Sequence, residues 1–397
     1  MGKKKVLDLY RAPFPLYTVK VDATTGLVIT AGGGGPSKTG IKNAVHFLDV
    51  QMVGKNQYSS SLLHSHDTDT RATINMAVGD GVIAAGQDGT CSLMRFKLCL
   101  QKEENSTHRD GNTLARRRSG KAGKGNLENR STTGDVSDTR NETVQITVTN
   151  IAEVLSDLNP HDPLQKVVRF SPDMNLLLTG GTDGYIRVWE QLVTVGRDFV
   201  CNVWSDNQLV TSLNWLETMP QIAEKTYRYM ACRFGNGEDE KDAIRLYTVQ
   251  IPHKRDKKPP PCYITKWDGK ILLPMLTSPC GTEVISCLAV SDSGRFLGLG
   301  TVNGSVAVHS AFSLQKLYYV HESHGIVVTD VVFLPNLMKG QNIKGNNKAA
   351  LLSVAVDSRC QVHTVTKERP IPPWLFFCGL IIVGMLLILQ YLFPVLI

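Results

Sequence analysis

The sequence lacks several signatures on which a catalytic or secreted protein usually depends. Its nine cysteines form no C-x-x-C pair and have no regular spacing, which argues against a zinc site and against a disulfide framework. The N-terminal stretch MGKKKVLDLY has basic residues but no apolar core, so we expect no signal peptide. No grouping of nucleophile, base and carboxylate suggests a catalytic centre. We therefore expect reduced, cytosol-facing thiols and a protein that acts by binding, without covalent chemistry.

Motifs for nucleic-acid recognition are also absent. The net charge of +7 is modest for 397 residues, and much of it lies in two polar stretches, around 116–118 and at 253–261. A diffuse basic excess in loops is more typical of solubility, or of attraction to an acidic partner, than of a nucleic-acid groove. There is no helix-turn-helix, zinc ligand set or basic-aromatic stripe. Direct nucleic-acid binding is therefore not expected.

No apolar run long enough to span a bilayer occurs before residue 374. Residues 374–393 read WLFFCGLIIVGMLLILQYLF, without a formal charge. As a helix this run would be ~30 Å long, which matches the hydrocarbon core of a membrane. Lys367 and Arg369 precede it and indicate the cytosolic side. We expect a cytosolic domain at 1–366, a juxtamembrane linker at 367–373 and one transmembrane helix at 374–393 in a tail-anchored protein. A buried core helix is the other interpretation.

A run of four glycines raises the question of a phosphate-binding loop. Residues 32–39 read GGGGPSKT, which misses the pattern G-x-x-x-x-G-K-[ST] because Ser37 occupies the place of the last glycine. Such a loop needs a helix after it, whereas Val45 and Phe47 alternate with their neighbours as in a strand. We therefore reject a nucleotide-binding loop here. Lys38 would contact phosphate in a nucleotide-binding loop, so this rejection leaves Lys38 without an assigned role.

Internal similarity predicts the fold. Four segments share an apolar strand, a tight turn and an alternating strand: GDGVIAAGQDGTCSLMRF, PDMNLLLTGGTDGYIRVWE, DSGRFLGLGTVNGSVAVHS and KAALLSVAVDSRCQVHTV. The D-G and N-G turns favour antiparallel hairpins. One strand precedes each hairpin, and a polar link leaves room for a fourth, outer strand. This is the blade of a WD-repeat β-propeller, so we predict an all-β, seven-bladed fold.

Three units depart from the regular pattern. In the first, LYTVKVDATTGLVITAGGGG, the glycine stretch replaces the tight turn. In the fourth, Asp183 and Asp198 are fifteen residues apart, where a blade needs roughly 40. We expect this blade to be truncated to a hairpin without its outer and innermost strands. The polar segment 101–141 is poor in apolar residues and is expected to be a disordered loop in the third repeat.

The glycine loop, residues 32–43, is the strongest candidate for function. Consecutive glycines permit positive φ and close backbone approach. The loop could point carbonyl oxygens at a monovalent cation, present a rigid protrusion to a partner, or be an ordinary hairpin loop. We expect the side chain of Asn43, at its end, to be exposed. The histidines His64, His66, His321 and His324 precede predicted inner strands and are interpreted as structural.

The passages AGGGGPSKTGIKN, LLHSHDTDTRAT, TYRYMACRFG, FLGLGTVNGSVAV and SVAVDSRCQ carry a resemblance that spans nearly the whole chain. They resemble the endoplasmic-reticulum exchange factors for the Sar-type small GTPase that starts COPII coats, and most closely their animal branch, the prolactin regulatory element-binding proteins. The resemblance implies an exchange factor held in the endoplasmic-reticulum membrane by one span. It implies a potassium-binding loop formed by backbone carbonyls of Gly32, Gly33, Gly34, Gly35 and Gly40. It also implies that Gly40, Ile41 and Asn43 act on the GTPase.

Two other functions stay open from the sequence. One is a transcription regulator that binds DNA through a basic loop, as the name of the animal branch suggests. The other is a passive membrane-tethered scaffold whose propeller collects partners. Nucleotide release from the GTPase distinguishes both from an exchange factor.

Overall fold

The computed structural model of this chain consists almost entirely of β-strands. It describes residues 6–36, 40–54, 57–102, 142–171, 174, 176–183, 186–187, 192–195, 199–205, 208–223, 226–237, 243–254, 257–335, 343–366, 381 and 383–385. These residues form seven antiparallel sheets, which we number in chain order.

The first strand, β1 (Asp8–Arg11), belongs to the last sheet. Sheet 1 contains β2 (Leu16–Val21), β3 (Val28–Gly32), β4 (Ala44–Gly54) and β5 (Gln57–Asp67). Sheet 2 contains β6 (Asn75–Gly79), β7 (Val82–Gln87), β8 (Thr90–Lys102) and β9 (Glu142–Leu155). Sheet 3 contains β10 (Gln165–Phe170), β11 (Leu177–Gly181) and β12 (Ile186–Arg187), and sheet 4 contains β13 (Leu192–Val195), β14 (Cys201–Ser205) and β15 (Gln208–Ser212).

A 3₁₀ turn (Trp215–Thr218) leads into the second half of the chain. Sheet 5 contains β16 (Tyr227–Asn236), β17 (Ile244–Pro252), β18 (Cys262–Asp268) and β19 (Pro274–Gly281). Sheet 6 contains β20 (Ile285–Val290), β21 (Phe296–Thr301), β22 (Val306–Ser310) and β23 (Lys316–Val320). Sheet 7 contains β24 (Val328–Phe333), β25 (Asn347–Ala355) and β26 (Arg359–Thr366), with β1 as its outer strand.

The core lies between the sheets, in the manner of propeller blades that pack face to face. One apolar cluster joins sheets 7 and 1 through residues such as Leu16, Leu48 and Leu352, and another joins sheets 1 and 2 through Phe47 and Phe96. Because both faces of an inner strand are covered, the first five residues of β4 are all buried. The first strands of the sheets succeed one another around the centre: β24 contacts β2, β2 contacts β6, and β6 contacts β10. The predicted all-β propeller is confirmed.

The loss of strands predicted for the fourth unit is divided between sheets 3 and 4 in the structure. Sheets 3 and 4 have three strands each within the described ranges, whereas the other five sheets have four. The hairpin expected from residues around Asp198 corresponds to β13 and β14, and β15 pairs with β14 as a third strand. The prediction of a hairpin blade was therefore wrong in detail. A free edge of β14 attracts the next chain segment because its N–H and C=O groups need partners.

Two other expectations concern segments that are only partly described. The insert at 101–141 was expected in the third repeat, but its flanking strands β8 and β9 pair with each other in sheet 2. Most of the insert lies outside the described residues. The predicted transmembrane span at 374–393 also lies mostly outside them, apart from helical positions 381 and 383–385. Within the part of the chain that is described, no helix has the length and apolar character needed to cross a bilayer.

Candidate functional site

The glycine loop connects two central strands of sheet 1. It leaves β3 at Gly32 and enters β4 at Ala44, and residues 37–39, including Lys38, lie outside the described part. Gly33, Gly35 and Gly40 have φ values of 145°, 73° and 75°, which residues with a side chain rarely adopt. A strand, not a helix, follows the loop. In the described residues no helix N-terminus adjoins the loop, which agrees with the rejection of a phosphate-binding loop.

Two of the four consecutive glycines are required by close packing. A Cβ atom on Gly32 would lie 1.9 Å from the carbonyl oxygen of Pro15, and one on Gly33 would lie 2.0 Å from Oδ1 of Asn43. The Gly33 N–H also donates to the Pro15 carbonyl over 3.0 Å. At Gly35 and Gly40 a Cβ would meet no atom within 4 Å. Gly32 and Gly33 thus fix the start of the loop against sheet 1, while Gly35 and Gly40 serve its backbone conformation.

The side chain of Asn43 is buried, with 3% of its surface exposed. Its Oδ1 accepts a hydrogen bond from the Gly35 N–H over 2.8 Å. Its Nδ2 donates to the Gly35 carbonyl over 3.2 Å and to the Asp69 carbonyl over 2.9 Å. The expectation of an exposed Asn43 was wrong, because the side chain satisfies polar backbone groups that would otherwise be unpaired. Asn43 therefore holds the glycine loop in place.

The turn that follows β5 supports the loop from the other side, and sequence reasoning missed it. The Thr68 N–H donates to the Asn43 carbonyl over 3.0 Å. Asp69 has a φ of 56°, and its N–H donates to the carboxylate of Asp67 over 2.8 Å. The run Asp67-Thr68-Asp69-Thr70 could have indicated such a turn, since aspartate side chains cap local backbone groups.

The second half of the loop faces solvent. Gly40, Ile41 and Lys42 are exposed, and Ile41 keeps 40% of its surface accessible although it is a large apolar residue. Ile41 is thus two residues from the buried anchor Asn43. The arrangement presents one apolar and one basic side chain on a backbone segment that the protein holds firmly at its end.

The donor chemistry of the loop is compatible with a monovalent cation. The described residues contain no group of three or more His, Cys, Asp or Glu side chains that could hold a metal ion. A cation here would depend on backbone carbonyl oxygens, which suit potassium. The Gly35 carbonyl accepts from Asn43 and retains a second lone pair. Positive φ at Gly33, Gly35 and Gly40 changes the direction of successive peptide groups, so that several carbonyls can point to one side.

Of the four histidines interpreted as structural, one belongs to a buried network. His324 is fully buried; its Nε2 lies 2.7 Å from the Ser353 hydroxyl and its Nδ1 lies 3.2 Å from Oδ1 of Asp357. Desolvation raises the pKa of the Asp357 carboxyl, but the hydrogen bond and charge of His324 and two backbone N–H groups outweigh it and hold that pKa below its usual value. His64 and His66 lie within the outer strand β5, and His321 is half exposed. His64 and His66 precede the inner strand β6, as expected, but they lie in a strand and not in the link before β6.

The fold is shared with proteins of known structure, and the sequence is shared with named relatives. Residues 153–190 match the family described as "WD domain, G-beta repeat". The WD40 propeller domain of Doa1 superposes with a TM-score of 0.52 at 8% identity, over 91% of this chain and 96% of that one. The proteins named "Guanine nucleotide-exchange factor SEC12" from Mus musculus and Rattus norvegicus are both 48% identical, over 99% of this chain and 99% of theirs. The chain therefore belongs to the SEC12 family of guanine nucleotide-exchange factors.

Proposed function

We propose that this chain promotes guanine-nucleotide exchange on a Sar-type small GTPase at the endoplasmic-reticulum membrane, where it starts COPII coat assembly, and that the glycine loop is the contacting surface. Family membership supports the exchange activity and a small GTPase as partner. The single observation that carries the site assignment is the exposed Ile41, held two residues from the buried clamp of Asn43. An exposed apolar residue on a firmly held loop is well suited to a partner surface.

The mechanism requires no covalent step. An exchange factor lowers the affinity of the GTPase for its nucleotide by binding the nucleotide-free state more tightly than the loaded one. The switch segments of a small GTPase order around phosphate and Mg²⁺ and are released when those contacts are lost. A protruding loop that keeps its shape can displace such a segment without first losing conformational entropy of its own.

Each part of the glycine loop has a separate role in this proposal. Gly32 and Gly33 fit the loop against Pro15, and Asn43 holds Gly35. Ile41 and Gly40 contact the displaced switch. Asn43 acts as a positioning residue for them, because its own side-chain groups are already paired with Gly35 and Asp69. Potassium held by carbonyls of Gly32–Gly35 and Gly40 would supply a fixed positive charge that stiffens the loop.

The domain plan is part of the proposal. Residues 1–366 form the cytosolic propeller, 367–373 the linker and 374–393 a single membrane span with the N-terminal domain in the cytosol. The charge-free run of twenty residues supports this topology. A DNA-binding regulator has no comparable support, since no described segment forms a recognition helix.

Release of GDP from a purified Sar-type GTPase tests the proposal. The unmutated chain should accelerate release, Ile41→Ser should remove most of the acceleration, and Lys38→Ala should retain it. Intrinsic release by the GTPase alone must be the same in all samples. A chain that binds the GTPase without accelerating release would be a scaffold and would contradict exchange activity. A Lys38→Ala variant that no longer accelerates GDP release would favour the phosphate-binding-loop interpretation.

A further inference from the structure

The centre of the propeller contains an excess of positive charge. The first strands of the seven sheets together carry five basic residues and one acidic residue: Lys20, Lys166, Arg169, Arg228, Arg233 and Asp330. Three of the basic residues, Lys20 on β2, Arg169 on β10 and Arg233 on β16, interact electrostatically with one another across the ring. These strands belong to sheets 1, 3 and 5, so the three charges meet only because the strands line a common channel. The glycine loop lies elsewhere, between β3 and β4.

The one carboxylate in the channel is already satisfied. Asp330 forms an ion pair with Lys20, and the same oxygen accepts from the Thr18 hydroxyl over 3.0 Å and from the Val19 N–H over 3.2 Å. Its other oxygen accepts from the Val331 N–H over 3.0 Å. The Lys20 ammonium in turn donates to Asp330 and to the Val19 carbonyl. Asp330 also attracts Arg169, but it is one carboxylate against the three cations Lys20, Arg169 and Arg233, so the channel keeps an excess of positive charge.

Arg169 and Arg233 have few partners of their own. In the described part of the chain, Arg169 donates one hydrogen bond, to the Val168 carbonyl over 3.3 Å, and Arg233 donates one, to the Cys232 carbonyl over 2.7 Å. A guanidinium has five N–H donors. The positive charge of Arg233, followed by desolvation, lowers the pKa of Arg169 to about 10. Two like charges thus interact while most of their donors have no acceptor among the described residues.

A cavity of about 320 Å³ opens beside Lys20 and Arg169. It is lined by Lys20, Ala77, Val78, Arg169, Phe170, Ser171 and Met174, and Arg233 is not among its lining residues. A cavity of this size accepts a small ligand. Its walls combine apolar side chains with cationic ones, and such a partly desolvated setting strengthens a charge-assisted hydrogen bond.

We propose that the central channel of this propeller binds a tetrahedral oxyanion, of the kind presented by a phosphate group, in the cavity at Arg169, where the positive charges of Lys20 and Arg233 also act on it. Planar guanidinium forks match the oxygen geometry of phosphate and can donate two parallel hydrogen bonds to it. One such anion offsets the charge excess that Asp330 leaves. This site is separate from the glycine loop that is proposed to act in nucleotide exchange. A bound phosphate-bearing ligand would fill the channel and make the centre of the propeller more rigid.

Phosphate titration of the full-length chain tests the site. The purified chain in detergent is titrated with inorganic phosphate in a calorimeter, with chloride used to keep the ionic strength constant. We expect saturable binding and a melting temperature that rises with phosphate concentration, as mass action requires. Arg169→Gln should weaken phosphate binding about tenfold or more, because it removes charge-assisted hydrogen bonds, and Arg233→Gln should weaken it because it removes a neighbouring positive charge. A parallel titration with soluble inositol trisphosphate distinguishes a free phosphate ion from a lipid-type headgroup.

The control is Arg95→Gln, which removes an exposed arginine from the outer part of sheet 2. This variant should bind phosphate like the unmutated chain. In phosphate-free buffer, Arg169→Gln and Arg233→Gln should melt no lower than the unmutated chain, because each relieves like-charge repulsion. The proposal is overturned if neither probe binds, if the Arg95 variant weakens binding as much as the channel variants, or if both channel variants keep the unmutated affinity.

Discussion

The side-chain amide of Asn43 pairs with the backbone of Gly35 at both of that residue's hydrogen-bonding groups, over 2.8 Å and 3.2 Å. The last backbone partners in this hairpin are Gly32 and Ala44. Asn43 therefore continues the pairing of β3 and β4 past the end of the ladder, with a side chain in place of a strand. The part of the glycine loop between Gly35 and Asn43 therefore lies beyond this pairing.

Replacement of Asn43 by alanine should lower both stability and exchange. The change leaves the Gly35 N–H and two carbonyls without their buried partner, which costs roughly 1–3 kcal/mol. We expect a lower melting temperature and loss of most accelerated GDP release. Asn43→Asp keeps the acceptor for Gly35 but places a carboxylate against the Asp69 carbonyl, so it should be at least as harmful. A variant with unchanged melting temperature would show that the observed hydrogen bonds contribute little.

Ile41→Ser should separate exchange from stability. Ile41 is 40% exposed, and a substitution at such a surface position normally changes stability by about 0.5 kcal/mol or less. We expect an unchanged melting temperature and at least a tenfold slower accelerated release of GDP, a loss of about 1.4 kcal/mol of transition-state stabilisation. The matched control is Ile326→Ser, since Ile326 is 46% exposed in the link between β23 of sheet 6 and β24 of sheet 7. Equal loss in both variants would argue against a specific contact at Ile41.

Acid should destabilise the domain between about pH 6.5 and pH 4, because His46 titrates at different pH values in the folded and unfolded chains. This buried residue lies against Phe14, its Nδ1 lies 2.6 Å from the Tyr10 hydroxyl, and burial lowers its pKa to about 4. Below pH 6.5 the His46 imidazole of the unfolded chain takes up a proton, whereas that of the folded chain stays neutral down to about pH 4. The free energy of unfolding is therefore highest above pH 6.5 and declines as the pH falls to about 4. The loss for this one group is roughly 3 kcal/mol.

Denaturant titrations at pH 7.5 and 4.5 measure this dependence. His46→Gln should reduce the difference between the two free energies of unfolding, whatever its effect at pH 7.5. His64→Gln is the control, because His64 is only partly buried on β5. The lowered pKa of Asp357 reduces the free energy of unfolding further only below about pH 3.8. A carboxyl whose pKa is lowered in the folded state stabilises the fold above its unfolded pKa and loses this contribution as the pH falls. If His46→Gln leaves the difference between the free energies of unfolding at the two pH values unchanged, His46 is not the titrating group.

Insertion of an additional outer and innermost strand between Glu190 and Gln191 should raise the melting temperature. The insert would be about 25 residues at the usual repeat length. The aligned span with the mouse relative is 433 positions, longer than the 397 residues here, so that relative has residues without a counterpart in this chain. Two strands would complete the three-stranded sheets 3 and 4 and cover their open edges. A glycine-serine insert of equal length is the control and should not stabilise.

Deletion of residues 371–397 should release the chain from membranes. The run at 374–393 is the membrane span proposed from the sequence, so we expect its removal to abolish membrane attachment. Carbonate extraction of the full-length and shortened chains provides the measurement. If the shortened chain still sediments with membranes, a second anchor exists.

Local patterns predicted the hairpins well because their causes are local. Asp88 adopts a φ of 50° and Gly304 one of 87°, as D-G and N-G turns between strands require. The burial of Asn43 was not predictable in the same way, because its partner Asp69 is 26 residues away. Likewise, no local signal indicated that β15 would pair with β14. The channel charges on β2, β10 and β16 are also invisible in the sequence, since only closure of the ring brings them together.

Closure of the ring through β1 and β26 has a consequence for the order of events during synthesis. The Nε2 of Gln361 donates to the carboxylate of Asp8 over 2.9 Å, between residues that are 353 positions apart. At ~5–20 residues per second a ribosome needs roughly 20–70 s to bridge that interval. Throughout this interval β1 has no strand to pair with, and the earlier blades cannot close the ring. The fold can therefore be completed only when the two ends of the domain meet, and until then the unfinished propeller is exposed to chaperones and to aggregation.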